Sequence, residues 1–243
     1  MFLLLFHSLV FVVVLVVVLV VFVVLLATDI APDRIGTRTW DTMYGAKSDL
    51  LRGKRTGRLL QYNPETEEVS VLARDLFFPN GISINKDETA IYFAETFALQ
   101  LMKYNIRDGS LTIVVDAHEH TGYTDGLDCS WKGITGKSSH CYSVIVSPVV
   151  PLMKLAWLIP HPFDIVFRSF LMSLPKKLAP PVKPYGGIIE FKDDDSKSGS
   201  GMTRIIQDPT GKDVGMINGV TVYNNKLYLG SLYNDYITIY DLD

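Results

Sequence analysis

Hydrophobic and polar positions alternate in short runs along most of the chain, and turn residues separate the runs. The first clear pair is residues 57–62 and 69–72, which the polar segment 63–66 joins. Short alternating runs bounded by Asn, Pro, Gly and Asp predict β-hairpins. The same pattern recurs at residues 99–115 and 187–206. The chain is therefore predicted to be an all-β protein.

Three further strands are predicted to begin with an Asn or Asp that is followed by glycine. They open with Asn80-Gly81, Asp125-Gly126 and Asn218-Gly219. An Asn-Gly pair commonly forms the tight turn of a hairpin, where both residues need positive φ. In the first case the hairpin turn comes later, at residues 85–88. The dipeptide therefore marks the entrance to a strand.

The dipeptides recur with a period of roughly 45 residues, and the last interval is about twice as long because an insertion intervenes. A repeated unit of four strands with this period is the signature of a β-propeller blade. The units are predicted near residues 76–116, 122–208 and 215–243, the last one incomplete, with part of an earlier unit before them. The sequence thus predicts an incomplete propeller of about three to four blades.

The insertion, residues 148–184, carries large apolar side chains at helix-like spacing with Lys and Arg among them. It predicts one or two short amphipathic helices that are broken at Pro160 and Pro162. In one interpretation these helices form a lid that packs over the protein's own sheets. In the other they form a surface that touches lipid or takes up an apolar substrate.

The first 27 residues contain no charged side chain. A run of this length is long enough to span a bilayer with some tilt, so residues 1–27 are predicted to be a membrane segment and residues 28–243 the propeller region. A cleavable signal peptide is disfavoured, because the run has no basic start and its apolar part is too long. Two alternatives remain: residues 23–28 are a Val-rich buried strand, or the run results from a truncated or mis-joined sequence. The basic residues that follow weakly favour a cytoplasmic body.

The overall charge narrows the class of partner. The net charge is -3 and the pI is near 5.9, whereas nucleic-acid binding needs a basic face. Nucleic acid is therefore not an expected partner.

Cys129 and Cys141 flank a predicted hairpin turn, so a disulfide and two buried thiols are both open possibilities.

The residues that open the three inner strands are the candidates for chemistry. The first strand of each propeller blade lines the central channel, so Asn80, Asp125 and Asn218 are expected to converge there. The glycine that follows each one permits close backbone approach or positive φ. Oxygen donors of this kind suit Ca²⁺, and Asp29 is a fourth candidate. His161 lies between the two prolines of the insertion, from where it could reach the channel mouth.

Several stretches resemble one known family. TGRLLQYNPETEEVSVLARDLFFPNGISINKDETAIYFAET, GYTDGLD, the insertion PLMKLAWLIPHPFDIVF and KPYGGIIEF are similar to strictosidine synthase-like proteins, which are six-bladed propellers. The resemblance covers residues 27–243 and corresponds to the later half or more of such a propeller. The wider superfamily includes calcium-dependent paraoxonases and lactonases.

The resemblance implies an axial Ca²⁺ held by residues matching Asn80 and Asp125, with Asp29 as a further ligand. Gly126 stands where paraoxonases have a ligand Asn, and their first-blade Glu and hydrolytic His have no counterpart in this chain. Asn218 stands where strictosidine synthases have a catalytic Glu. An amide is neither a general acid nor a general base in the relevant pH range, so condensation of an amine with an aldehyde is disfavoured.

These observations lead to three functional expectations. The first is a membrane-anchored, calcium-dependent hydrolase of the arylesterase or lactonase type, acting on a small apolar ester or lactone. The second is a catalytically silent propeller that binds a partner or lipid. The third is a strictosidine synthase-like lyase, which Asn218 disfavours. The residues do not identify a catalytic side chain.

Overall fold

The computed structural model describes residues 25–29, 50, 53, 55–116, 122–129, 140–149, 155, 158–160, 163–173, 184–192 and 201–242, the first of these ranges by its backbone alone. His161 and residues 1–24, which belong to the predicted site and membrane segment, lie outside the described residues. The chain divides into two compact units, residues 1–79 and 80–243.

Short strands dominate the described chain, as the alternation predicted. The strands are β1 (Leu25–Asp29), β2 (Gly57–Asn63), β3 (Glu68–Leu76), β4 (Pro79–Ile84), β5 (Ala90–Glu95), β6 (Gln100–Asn105), β7 (Leu111–Asp116), β8 (Gly122–Cys129), β9 (His140–Pro148), β10 (Gly186–Lys192), β11 (Met202–Asp208), β12 (Ile217–Tyr223), β13 (Lys226–Ser231) and β14 (Thr238–Asp241). A 3₁₀ helix covers Thr96–Ala98, and an α-helix, α1, covers Phe163–Ser173.

Strands that follow one another in the sequence form four sheets. The sheets, called first to fourth below, contain β1–β2–β3, β4–β5–β6–β7, β8–β9–β10–β11 and β12–β13–β14. Their limits match the predicted units, and two of them have the expected four strands. The all-β, incomplete propeller fold is therefore confirmed.

The first unit contains the first sheet. β1 pairs antiparallel with β2, with Leu25 opposite Tyr62 and Asp29 opposite Arg58. The last residues of the N-terminal apolar run thus form a strand, as one of the alternative interpretations predicted. None of the helices within the described residues is long and apolar enough to cross a membrane.

In the second unit, the third sheet is buried on both faces. Ile145 and Ile189 lie in a core shared with the second sheet, which contributes Tyr92. Val144 and Ile188, each one residue away, lie in a core shared with the fourth sheet. Because side chains alternate across a strand, adjacent apolar residues serve different cores. Face-to-face stacking of successive sheets is the packing that a propeller requires.

One acidic side chain connects the inner strands of three successive sheets. The Asp128 carboxylate on β8 accepts hydrogen bonds from the backbone N–H of Val222 on β12 (2.8 Å) and from the Ser83 hydroxyl on β4 (3.4 Å). The Ser83 oxygen in turn accepts a bond from the N–H of Cys129 (3.2 Å). Burial raises the pKa of Asp128 despite these hydrogen bonds.

Cys129 and Cys141 form a disulfide. The two residues are directly opposite each other on β8 and β9, and both are buried. Of the two possibilities that the sequence leaves open, the structure therefore has the bonded form.

Helix α1 begins after Pro160 and Pro162, as the sequence predicted, and keeps large apolar side chains at the surface. Phe163 is 68% exposed, Val166 70% and Phe170 60%. Phe167, Arg168 and Leu171 of the same helix are half-buried, so the helix exposes one apolar face and both interpretations of the insertion remain predictions.

The Asp128 connection should contribute measurably to stability. We expect Asp128→Ala to lower the free energy of unfolding by about 1–3 kcal/mol, because the part-buried N–H of Val222 loses its acceptor. Urea unfolding followed by circular dichroism measures this change. Asp87, which is exposed in the turn after β4, provides the control Asp87→Ala, for which we expect little effect. Equal stability of the two variants would contradict the assignment.

Candidate functional site

The three predicted strand entrances lie side by side in the second unit. A Cβ atom on Gly81 would overlap the backbone carbonyl oxygen of Asp125, and one on Gly126 would lie 2.6 Å from the carbonyl oxygen of Asn218. Both positions are too close for any side chain. The backbones of β4, β8 and β12 therefore meet in this order at their Asn-Gly or Asp-Gly pairs. Asn80 and Asn218 are each the second residue of their strand, as predicted, whereas Asp125 is the fourth residue of β8, so the prediction that it opens a strand is wrong.

The close contacts explain why glycine follows Asn80 and Asp125. Positive φ among the described glycines occurs at Gly53, Gly109 and Gly211, and at none of the three entrances. Of the two explanations offered from sequence, close approach is correct for Gly81 and Gly126, and positive φ is wrong for all three. Gly219 has open space where a Cβ would lie, so the series of close contacts ends there.

Asp125 is held in a poorly solvated environment. Burial raises the pKa of its carboxyl group to about 7, and burial is the sole cause of the shift. Within the described residues no hydrogen bond or positive charge compensates the ionised form. Asp125 thus differs from Asp128 on the same strand, whose carboxylate has donors from two neighbouring strands.

The amide side chains of Asn80 and Asn218 resemble the Asp125 carboxyl group in burial and in hydrogen bonding. Both residues are half-buried, as Asp125 is, and neither side chain makes a hydrogen bond with another described residue. The amide atoms are not among the described polar atoms that are shielded from water without a partner. The three oxygen-bearing side chains, which make no hydrogen bond to other described residues and lie on adjacent strands, are therefore available to a ligand or a cation.

The residues present fit a hard cation. They offer one carboxylate and two amide carbonyl groups, whereas Ca²⁺ takes six to eight oxygens, so backbone oxygens and water would complete the shell. No cluster of three or more His, Cys, Asp or Glu side chains occurs in the described parts of the chain. Asn80, Asp125 and Asn218 would thus form a site of low charge, and low ligand charge gives modest affinity.

The other two predicted residues are not placed at this site. Asp29 ends β1 and belongs to the first unit, and its side chain lies outside the described residues. His161 lies outside them as well. Their predicted roles as calcium ligand and channel residue remain predictions.

Tyr123, two positions before Asp125, was not predicted from the sequence. The Tyr123 hydroxyl and the hydroxyl of its neighbour Thr124 are buried, and neither has a hydrogen-bond partner among the described residues. Burial raises the pKa of Tyr123 to about 12, so its phenol stays neutral. The run Tyr123-Thr124-Asp125 was a usable signal, because three consecutive polar residues are unusual in an inner strand.

Comparison with known proteins supports the family resemblance. The family model for strictosidine synthase matches residues 38–109. STRICTOSIDINE SYNTHASE-LIKE 3 of Arabidopsis thaliana is 27% identical over 201 residues, which cover 79% of this chain and 47% of that protein. Adipocyte plasma membrane-associated protein of Salmo salar is 29% identical over 201 residues, covering 79% and 44%. The chain spans about half the length of these relatives.

Two solved structures give the corresponding comparison of folds. A luciferin-regenerating enzyme is 14% identical with a TM-score of 0.48, covering 87% of this chain and 52% of its own. Regucalcin from Agrobacterium tumefaciens, described as a calcium-binding protein, is 14% identical with a TM-score of 0.47 and covers the same shares.

The raised pKa of Asp125 predicts how the metal-free protein responds to pH. A folded pKa of about 7, against an ordinary value of 3.8, means that the folded state binds the proton more tightly than the unfolded state. The stabilising effect of protonation is full below about pH 4 and is lost as the pH rises to about 7. We expect Asp125→Asn to remove this loss and to be more stable than the wild type at pH 8.

The measurement is urea unfolding in EGTA between pH 4 and pH 8, with the difference between variant and wild type plotted against pH. Asp87→Asn changes an exposed carboxylate and should give a flat difference. A flat difference for Asp125→Asn too would show that its carboxyl group is solvated or paired.

Proposed function

Since the chain belongs to the strictosidine synthase-like family, we propose that it is a calcium-dependent hydrolase of the arylesterase or lactonase type that works at a membrane. The observation that carries this proposal is the set of side-chain oxygens on Asn80, Asp125 and Asn218, which lie on adjacent strands and make no hydrogen bond to other described residues. The chain spans about half the length of these relatives, and the activity of the whole protein is part of this proposal.

Each of the three side chains has a distinct part in the proposed site. The Asp125 carboxylate supplies the negative charge, and its poor solvation makes a cation the most favourable partner for its ionised form. Asn80 supplies a neutral oxygen. A bound Ca²⁺ would polarise the ester carbonyl group. Asn218 binds and orients only, because an amide neither takes up nor releases a proton near neutral pH.

Asn218 also disfavours the alternative of a strictosidine synthase-like lyase. A condensation of the strictosidine synthase type needs a proton-transferring group, and the family resemblance places that group at Asn218. Without a carboxylate there, the site retains its capacity to bind oxygen atoms and loses this acid–base step.

The second candidate, a silent propeller that binds lipid or a partner, is favoured by helix α1. Its exposed Phe163, Val166 and Phe170 offer an apolar surface, and Lys154 before the helix with Lys176 and Lys177 after it would attract anionic headgroups. Among the relatives, the adipocyte proteins carry the name plasma membrane-associated. We therefore include membrane contact through α1, together with the N-terminal apolar run, in the proposal.

The disulfide indicates on which side of the membrane the body of the protein lies. Disulfides persist in secreted and lumenal compartments and are rare in the cytosol. The Cys129–Cys141 bond therefore supports a body on the lumenal or extracellular side. This proposal opposes the weak cytoplasmic preference that the basic residues after the apolar run gave.

The hydrolase proposal predicts a joint dependence on calcium and on the site residues. We expect hydrolysis of phenyl acetate or dihydrocoumarin by the wild type to fall at least about tenfold in EGTA and to recover with added Ca²⁺. Asn80→Ala and Asp125→Ala should lower calcium affinity, measured by calorimetry, and activity together. Asp87→Ala should change neither.

Activity that survives chelation and both substitutions would overturn the calcium mechanism. Calcium binding without hydrolysis of any ester or lactone in the panel would instead favour the silent propeller.

The proposed membrane contact predicts local protection of α1. With vesicles of phosphatidylcholine and phosphatidylserine, we expect slower backbone hydrogen exchange in residues 163–173, because the apolar face enters the headgroup region. Phe163→Asp combined with Phe170→Asp should abolish this protection without unfolding the protein, since both side chains are exposed.

A matched control places the same charge on another exposed apolar position. Ile237, the residue before β14, is 69% exposed, so Ile237→Asp should keep the protection of α1. Exchange in α1 that is the same with and without vesicles would exclude this surface as a lipid contact.

A further inference from the structure

The Tyr123 hydroxyl is a buried donor that the described protein leaves unused. Its oxygen is inaccessible to water and has no hydrogen-bond partner among the described residues. The phenol of Tyr142 in the same sheet is also buried, yet it contacts the Glu190 carboxylate at 3.5 Å. Native proteins rarely leave a buried polar group unpaired without a functional reason, so the contrast between these tyrosines calls for an explanation.

The position of Tyr123 connects it to the candidate site. It precedes Asp125 by two residues on β8, and burial alternates along this part of the strand, with Tyr123 and Asp125 half-buried and Thr124 fully buried. The pairing of β8 with β9 shifts register on either side of Thr124, so regular strand alternation does not place these side chains. What connects Tyr123 to Asp125 is their separation of two residues on the same strand and the half-buried state that they share.

The ring of Tyr123 is fixed by its neighbours although its hydroxyl has no partner among the described residues. Phe97, in the 3₁₀ helix after β5, packs edge-to-face against it with ring centroids 5.9 Å apart. The Thr96 hydroxyl donates a 2.7 Å hydrogen bond to the carbonyl oxygen of Thr124 and so holds that 3₁₀ helix against β8. A donor that is rigidly held and unpaired is preorganised for a ligand.

We infer that Tyr123 is a ligand-binding residue whose hydroxyl donates a hydrogen bond to the carbonyl oxygen of a small ester, lactone or similar ligand bound beside Asp125. The inference rests on the proposed function for the class of ligand. The residue itself is identified by its unpaired hydroxyl, its packing against Phe97 and its place on β8. A neutral phenol serves this purpose because it donates one hydrogen bond to an acceptor.

The test uses the full chain and δ-valerolactam, a cyclic amide that presents a carbonyl acceptor and resists hydrolysis. Ligand-observed NMR titration in saturating Ca²⁺ gives its dissociation constant. We expect Tyr123→Phe to weaken binding roughly tenfold and to leave calcium affinity unchanged. Its midpoint of urea unfolding without lactam should stay the same or rise, because the substitution removes an unpaired buried hydroxyl.

Two matched variants separate ligand binding from structure. Tyr142→Phe removes a buried hydroxyl that has a partner, so it should lower the unfolding midpoint and keep lactam affinity. Thr124→Val removes the other unpaired hydroxyl on β8 and should keep lactam affinity as well. The specific loss is therefore expected for Tyr123→Phe alone.

The outcomes distinguish this inference from the hydrolase proposal. Lactam binding that depends on Tyr123 in a protein without hydrolytic activity would support the inference and reject the hydrolase. Equal affinity of wild type and Tyr123→Phe, no lactam binding by the wild type, or a lowered unfolding midpoint for Tyr123→Phe would each overturn the inference, whatever the hydrolysis assays show.

Discussion

The close contact between the inner strands is the constraint on which the second unit depends. β4 can approach β8 only because residue 81 has no side chain, and β8 can approach β12 only because residue 126 has none. This contact places Asn80, Asp125 and Asn218 at neighbouring positions and brings Ser83 within hydrogen-bonding distance of Asp128. A methyl group at either glycine would push the sheets apart and separate both sets of residues. Packing and site geometry therefore have the same origin.

The repeat was predictable because the sequence repeats an Asn-Gly or Asp-Gly pair at the blade period, and the alternating runs between the pairs mark the strands. The close contact requires glycine at residues 81 and 126, whereas Gly219 keeps the pattern without such a contact. The division into sheets followed correctly from this pattern. The reason for glycine was not predictable, because positive φ and close approach both favour the same residue.

Features that depend on a partner from another sheet were beyond the sequence. Asp128 resembles any polar strand residue until the structure brings Ser83, 45 residues earlier, and Val222, 94 residues later, to its carboxylate. Tyr123 and Tyr142 likewise cannot be distinguished in the sequence. Only the structure shows that the Tyr142 hydroxyl contacts Glu190, whereas the Tyr123 hydroxyl has no partner among the described residues. The exposure of α1 also depended on tertiary packing, because an amphipathic pattern predicts an apolar face without identifying what covers it.

The site combines these features into an arrangement that is unfavourable without a ligand. Asp128 shows that an inner-strand carboxylate can obtain hydrogen bonds from neighbouring sheets, so the lack of such bonds at Asp125 among the described residues is a property of that position rather than of the fold. An ionised Asp125, and a buried Tyr123 phenol that has no partner among the described residues, each disfavour the folded state. A ligand that satisfies them binds the folded chain alone and stabilises it by mass action. Ligand binding and local stability should therefore be coupled around Asp125 and Tyr123. Proteins usually pair their buried polar groups, and departures from this rule are expected at functional sites.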